Sequence, residues 1–111
     1  MPYFTYRYNY KQYIYMSYYS KKDYKLLGFR ESRTKNKMYD AILENKLNYK
    51  TVRIPFGSSL HQNYRDITGL NAYPQLIHND PKRRKNYKAR AKNQLRDGYY
   101  SAGFFSYYYL W

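Results

Sequence analysis

The sequence predicts an α+β fold: a small antiparallel sheet, then a basic α-helix and a C-terminal aromatic helix, all preceded by a tyrosine-rich extended arm. Three observations carry this. Two runs with alternating apolar positions, KMYDAILE (37–44) and YKTVRIPF (49–56), flank a polar turn at 45–48 and so read as an antiparallel hairpin. Asp80 followed by Pro81 opens a helix-forming stretch, because the carboxylate caps free amides and proline is preorganised for the first helical position. Ser101 stands before a closing aromatic run and can cap a last short helix. A chain of 111 residues holds one domain of ordinary size.

Taken in order, residues 1–23 read as the arm and 24–111 as the domain. In the arm, Phe4, Tyr6, Tyr8 and Tyr10 alternate with Thr5, Arg7 and Asn9, and Tyr13 and Tyr15 continue with a slipped phase. Two readings stay open: a low-complexity tail that orders on a partner, and a hairpin of its own. Tyr24 to Arg30 (YKLLGFR) is the first strand of the domain, followed by a polar loop, ESRTKNK. In the hairpin, Tyr39, Ala41 and Leu43 share one face, as do Val52, Ile54 and Phe56, with Thr51 and Arg53 opposite. Pro55 lacks a ladder donor, so its strand should end there or lie at an edge.

Residues 57–79 read as loop and short turns, with Leu60, Leu70, Tyr73, Leu76 and Ile77 expected to pin them to the sheet. The helix should run from Lys82 to Leu95 and stop near Gly98, with a thin inward stripe of Tyr87, Ala91 and Leu95. In the last helix Phe104, Tyr107, Tyr108 and Trp111 fall on adjacent turns and are expected to supply much of the core.

Charge and aromatic content bound the function. The net charge is +14, from 21 Lys and Arg against 7 Asp and Glu, a self-repelling field unless an anionic partner neutralises it. The 19 tyrosines and 5 phenylalanines offer large contact area at small entropic cost, which suits an interface. With no cysteine, disulfides and thiolate metal sites are excluded. Arg7 and Lys11 interrupt the N-terminal segment where a signal peptide would be most apolar, and no stretch approaches the roughly 20 apolar residues of a membrane span. A soluble, non-secreted protein without membrane contact is the expectation.

The candidate partner-binding residues are the cations of the helix, Lys82, Arg83, Arg84, Lys85, Lys88, Arg90, Lys92 and Arg96, and the arm residues Tyr6, Arg7, Tyr8, Tyr10, Tyr13 and Tyr15. Consecutive cations at 82–85 oppose the helix dipole in its first turn, a local conflict that an anionic partner would resolve. Phosphate along a nucleic acid backbone and an acidic protein surface both fit. Arm tyrosines among Arg7, Lys11, Lys21, Lys22 and Lys25 could stack on unpaired bases, yet no RNP, zinc-knuckle or helix-turn-helix pattern accompanies them, and protein packing is the favoured use.

His61 with Asp66 and His78 with Asp80 are the combinations to test as ligands or as an acid and base. Seven carboxylates scattered singly do not suggest a two-metal centre, and His78 with Asp80 more simply starts the helix. Gly57-Ser58-Ser59 lacks the glycine spacing and lysine of a phosphate loop. No catalytic residue, metal or cofactor is expected.

The ordered motifs Tyr39-Asp40-Ala41-Ile42-Leu43, Arg53-Ile54-Pro55-Phe56-Gly57-Ser58, Tyr64-Arg65-Asp66 with Thr68-Gly69-Leu70, His78 with Asp80, Lys82-Arg83-Arg84 with Tyr87, Ala89 and Arg90, Gly98-Tyr99-Tyr100-Ser101 and Tyr109-Leu110-Trp111 carry a resemblance. Over roughly residues 24–111 the chain resembles a family of small basic, largely uncharacterised proteins of large double-stranded DNA viruses. That family usually has His after the helical Arg, where this chain has Ala91. The resemblance brings no reaction or cofactor; it implies a viral origin and a place in the particle, with synthesis in the host cytoplasm. The expected function is therefore a minor capsid or cement-type virion protein that bridges larger capsid proteins, with organisation of packaged double-stranded DNA as the alternative. A small nuclease would require His61, Asp66, His78 and Asp80 to converge.

Overall fold

The computed structural model describes residues 17–111. The predicted arm residues Tyr6, Arg7, Tyr8, Tyr10, Tyr13 and Tyr15 lie outside the described residues. The fold is α+β. Strand β1 (Tyr19–Ser20) precedes a three-stranded antiparallel sheet of β2 (Tyr24–Glu31), β3 (Lys37–Asn45) and β4 (Thr51–Ser58), in spatial order β2-β3-β4. Helix α1 (Pro81–Ala91) and a 3-10 turn (Lys92–Gln94) lead to β5 (Tyr99–Tyr100), then to α2 (Ala102–Phe105), which continues as a π-helical segment over Ser106–Leu110. β5 pairs antiparallel with β1, so Tyr19 and Ser20, assigned to the arm by sequence, are hydrogen-bonded into the fold.

The hairpin forms as its alternation dictates. Tyr39 faces Phe56, Ala41 faces Ile54 and Leu43 faces Val52 across β3 and β4. The turn is built on Asn45, whose side-chain oxygen accepts from Leu47 N at 2.9 Å and Asn48 N at 3.2 Å. Tyr49 has φ +62, so the strand starts at Thr51 and not at Tyr49. β4 is an edge strand, which is how Pro55 sits within it without breaking a ladder, and the strand runs on to Ser58. The other edge, β2, carries a bulge between Leu26 and Gly28.

The core lies between the inner sheet face and α2 with its π extension. Tyr39, Ala41, Leu43 and Phe56 are fully buried, with Ile54 nearly so, against Phe105, Leu110 and Trp111. Phe29 meets Phe56 and Phe105 edge-on, each at 5.7 Å, and Tyr109 at 4.7 Å. Such pairs add about 0.5–1.5 kcal/mol each beyond area burial. The sequence assigned the core role to Phe104, Tyr107, Tyr108 and Trp111; the structure keeps Trp111 but buries Phe105 and Leu110, and leaves Tyr108 45 % exposed. The π segment, with its wider turn, puts Leu110 on the face of Phe105, five residues earlier, where regular helical spacing would not. Ser101 caps α2 as expected, accepting from Phe104 N at 3.1 Å.

On the outer face, Asp40 is buried beneath Arg30 (3.3 Å) and Arg53 (3.6 Å), both of which reach its Oδ2. Its Oδ1 has no hydrogen-bond partner among the described residues.

The long loop is held partly as predicted, with Tyr73 packed against the core ring of Tyr39 at 5.8 Å. Leu60 and Leu70 are 67 % and 39 % exposed and pin nothing. Asn63 does so instead: it is buried, exchanges backbone bonds with Leu76 and His78, and turns its amide to Met38 Sδ at 3.1 Å. The second anchor is the buried Tyr39 hydroxyl, which donates to Asp66 Oδ2 at 2.5 Å and accepts from Ala72 N–H at 3.0 Å. Burial first, and the bond to Asp66 second, raise the Tyr39 pKa, so this phenol stays protonated. Asp66 Oδ1 in turn accepts from Thr68 N and Thr68 Oγ1, closing a turn on the same carboxylate.

Candidate anion-binding site

Helix α1 starts as the sequence requires. Asp80 Oδ1 accepts from Lys82 N at 2.9 Å and Arg83 N at 3.3 Å, Pro81 follows, and the first turn contains no acidic residue. The α-helix ends at Ala91, its one buried residue, and the expected continuation to Leu95 is a 3-10 turn and an extended residue. Tyr87, from the predicted stripe, stacks on Trp111 at 4.2 Å with the rings 8° apart.

The structure sorts the predicted cations into three groups. Arg84, Lys88 and Arg96 are used by the fold. Arg84 Nε donates to Trp111 O at 2.7 Å and its guanidinium lies over Tyr64 at 4.7 Å. Lys88 lies over Tyr107 at 4.8 Å, and Arg96 sits against Tyr99 at 4.5 Å and Tyr18 at 5.4 Å. Arg65, not singled out by sequence, joins Arg84 and Lys88: its backbone N–H donates to Leu110 O and its guanidinium to Tyr108 O. Arg84 and Arg65 answer carbonyls at the end of the π segment, where helix termini favour positive charge. Burial, and then Arg84 and Arg65, hold the Lys88 pKa below the ordinary lysine value.

Arg83 and Arg90 form the second group. Together with Asn86 and Tyr87 they line one wall of a cleft of about 540 Å³; Gly57, Ser58, His61, Gln62 and Asn63, leaving β4, form the opposite wall, and Ser106 and Trp111 complete it. Arg83 Nη1 donates to Gln62 Oε1 at 2.9 Å, and Ser58 Oγ meets His61 Nδ1 at 2.8 Å. Arg90 lies 6.0 Å from the Tyr87 ring centre.

Lys82, Lys85 and Lys92 are the third group. They are exposed, and among the described residues their ammonium groups have no partner. The ion pairs among the described residues are Lys25–Glu44, Arg30–Asp40 and Arg53–Asp40, all on the sheet, so no Asp or Glu forms an ion pair with a cation of the helix.

The four residues tested for catalysis or metal binding go to separate tasks. His61 bonds Ser58, Asp66 holds Tyr39 and Thr68, and Asp80 caps α1. His78 Nδ1 accepts from Asp80 N at 2.9 Å, so its proton is on Nε2, which is buried without a partner among the described residues. Burial and the Arg83 charge hold the His78 pKa below its ordinary value, with Asp80 opposing. Among the described residues no three His, Cys, Asp or Glu side chains gather as a metal site, and no helix is long and apolar enough to cross a membrane.

The arrangement defines a small basic α+β protein with a helix whose exposed lysines pair with no Asp or Glu among the described residues, and a polar cleft without Asp or Glu side chains beside it. No family model matches the chain, and no curated protein or solved structure is found to be similar to it.

Proposed function

We propose that this protein is a non-enzymatic structural component of a virion, a minor capsid or cement-type protein that bridges larger capsid proteins. Its helix α1 would dock on their acidic surfaces and its tyrosine-rich arm would pack onto a neighbour. The observation that supports this most is the set Lys82, Lys85 and Lys92, in and just after a helix whose cations form no ion pair with Asp or Glu among the described residues. Arg84, Lys88 and Arg96 have structural partners, so the exposed lysines are what remains for another molecule. The viral setting rests on the motif resemblance.

The same lysines suit phosphate, and organisation of packaged double-stranded DNA is the second reading. One experiment separates the two. Particles are opened, treated with nuclease at moderate salt, and the protein is quantified by mass spectrometry in shell and soluble fractions. The bridging role requires retention in DNA-free shells, and a Lys82→Gln/Lys85→Gln/Lys92→Gln variant should be lost from them. Release with the digested genome would transfer the assignment to DNA organisation, and absence from particles would refute both.

A further inference from the structure

We propose that the cleft between α1 and the exit of β4 is a seat for a small polyphosphate: an anion with linked phosphates, such as inorganic tripolyphosphate or the tail of a nucleoside triphosphate. Its charged and titratable lining side chains are Arg83, Arg90, His61 and the Tyr87 phenol, and no Asp or Glu side chain lines it. A volume of about 540 Å³ holds a ligand of this size.

Arg83 and Arg90 are seven residues apart, so they share a helix face and sit about 10.5 Å apart along its axis. The bond to Gln62 Oε1 at 2.9 Å uses one donor of the Arg83 fork and steadies the rest. A lone phosphate is satisfied by one guanidinium; a linked chain engages both, with the Asn86 amide between them. On the facing wall, the contact of Ser58 Oγ with His61 Nδ1 leaves His61 Nε2 as the ring nitrogen available to a ligand. Trp111 is 9 % exposed and already stacked on Tyr87, so phosphate chemistry and not base stacking dominates recognition.

The site goes beyond the bridging role, which uses Lys82, Lys85 and Lys92, and the two fail separately. The full chain is titrated with tripolyphosphate at moderate salt by calorimetry, with fluorescence of the single tryptophan, Trp111, as a local readout. Arg83→Gln/Arg90→Gln should weaken binding about tenfold or more, given the strength of bidentate guanidinium–phosphate bonds. Lys82→Gln/Lys85→Gln removes the same charge from the same helix outside the cleft and should change binding less than about twofold. Equal losses in the two variants would mean diffuse charge attraction and overturn the seat. If the arginine variant fails to fold by circular dichroism, Asn86→Ala, at an exposed position, takes its place with an expected loss of about threefold. ATP binding as tightly as tripolyphosphate supports the phosphate chain as the recognised feature, and ATP binding over tenfold tighter supports a nucleotide source. AMP or citrate binding as tightly as tripolyphosphate would refute the proposal.

Discussion

Replacing Tyr39 with Phe removes one oxygen atom from the centre of the fold and leaves the ring in place. The hydroxyl joins sheet to loop twice, donating to Asp66 Oδ2 at 2.5 Å and accepting from Ala72 N–H at 3.0 Å. A bond to a charged acceptor contributes about 1.5–3 kcal/mol, and an amide left without a partner costs about 1–3 kcal/mol. Asp66 keeps both bonds from Thr68, and Ala72 is only half-buried, which places each contribution toward the lower end. The expected loss is about 3 kcal/mol, a fall in Tm of about 12–24 °C for a domain of this size. Thermal and urea unfolding followed by near-ultraviolet circular dichroism would measure it. A double-mutant cycle with Asp66→Ala should give a coupling of about 1.5 kcal/mol. A loss below about 0.5 kcal/mol, or additive single effects, would refute the view that this hydroxyl anchors the loop.

Gly57 tests how the π segment packs on the end of β4. A Cβ there would lie 2.8 Å from Leu110 Cδ1 at φ +74, whereas Gly69, at φ +92, has nothing within 4 Å. Gly69→Ala should therefore cost only the left-handed backbone penalty of about 1–2 kcal/mol, and Gly57→Ala about 1–3 kcal/mol more, read from urea midpoints. Equal costs would show that Leu110 yields freely. The third prediction concerns pH. His78 is favoured neutral in the fold, so its contribution is complete above the unfolded pKa of about 6.5 and declines as pH falls below it. Between pH 7.5 and 5.5 the Tm should fall more steeply for the native chain than for His78→Gln, and parallel slopes would contradict this.

Much of the scaffold is legible because local chemistry decides it. Alternation along β3 and β4, the Asp80-Pro81 start and the Ser101 cap each depend on residues within a turn or a strand pair, and each is where the sequence places it. The last helix is not legible in phase, because the π segment brings Leu110 onto the buried face of Phe105 and nothing in the spacing signals it. The loop anchors were missed for another reason. Tyr39 and Asp66 are 27 positions apart, and an apolar pattern reads Tyr39 as a core ring without revealing what its hydroxyl meets. The cations were visible as a set but not their division, since Arg84 and Lys88 depend on the end of a helix far along the chain. The cleft draws its walls from α1, the residues after β4 and the C-terminal segment, so no window of sequence contains it.

The pairing of β1 with β5 fixes where the arm begins. Tyr18 O–H donates to Gln94 O at 3.4 Å, Lys21 N–H to Gly98 O at 2.8 Å, and Arg96 lies against Tyr18. Tyr18 therefore sits beside the Lys92–Gln94 turn at the far end of α1. On the proposed docking role, a hold through the arm and a hold through the helix lysines, rooted this close together, would raise one another's effective concentration. Attachment should then be a matter of avidity, with the two grips releasing together over a narrow range of salt and neither sufficient alone.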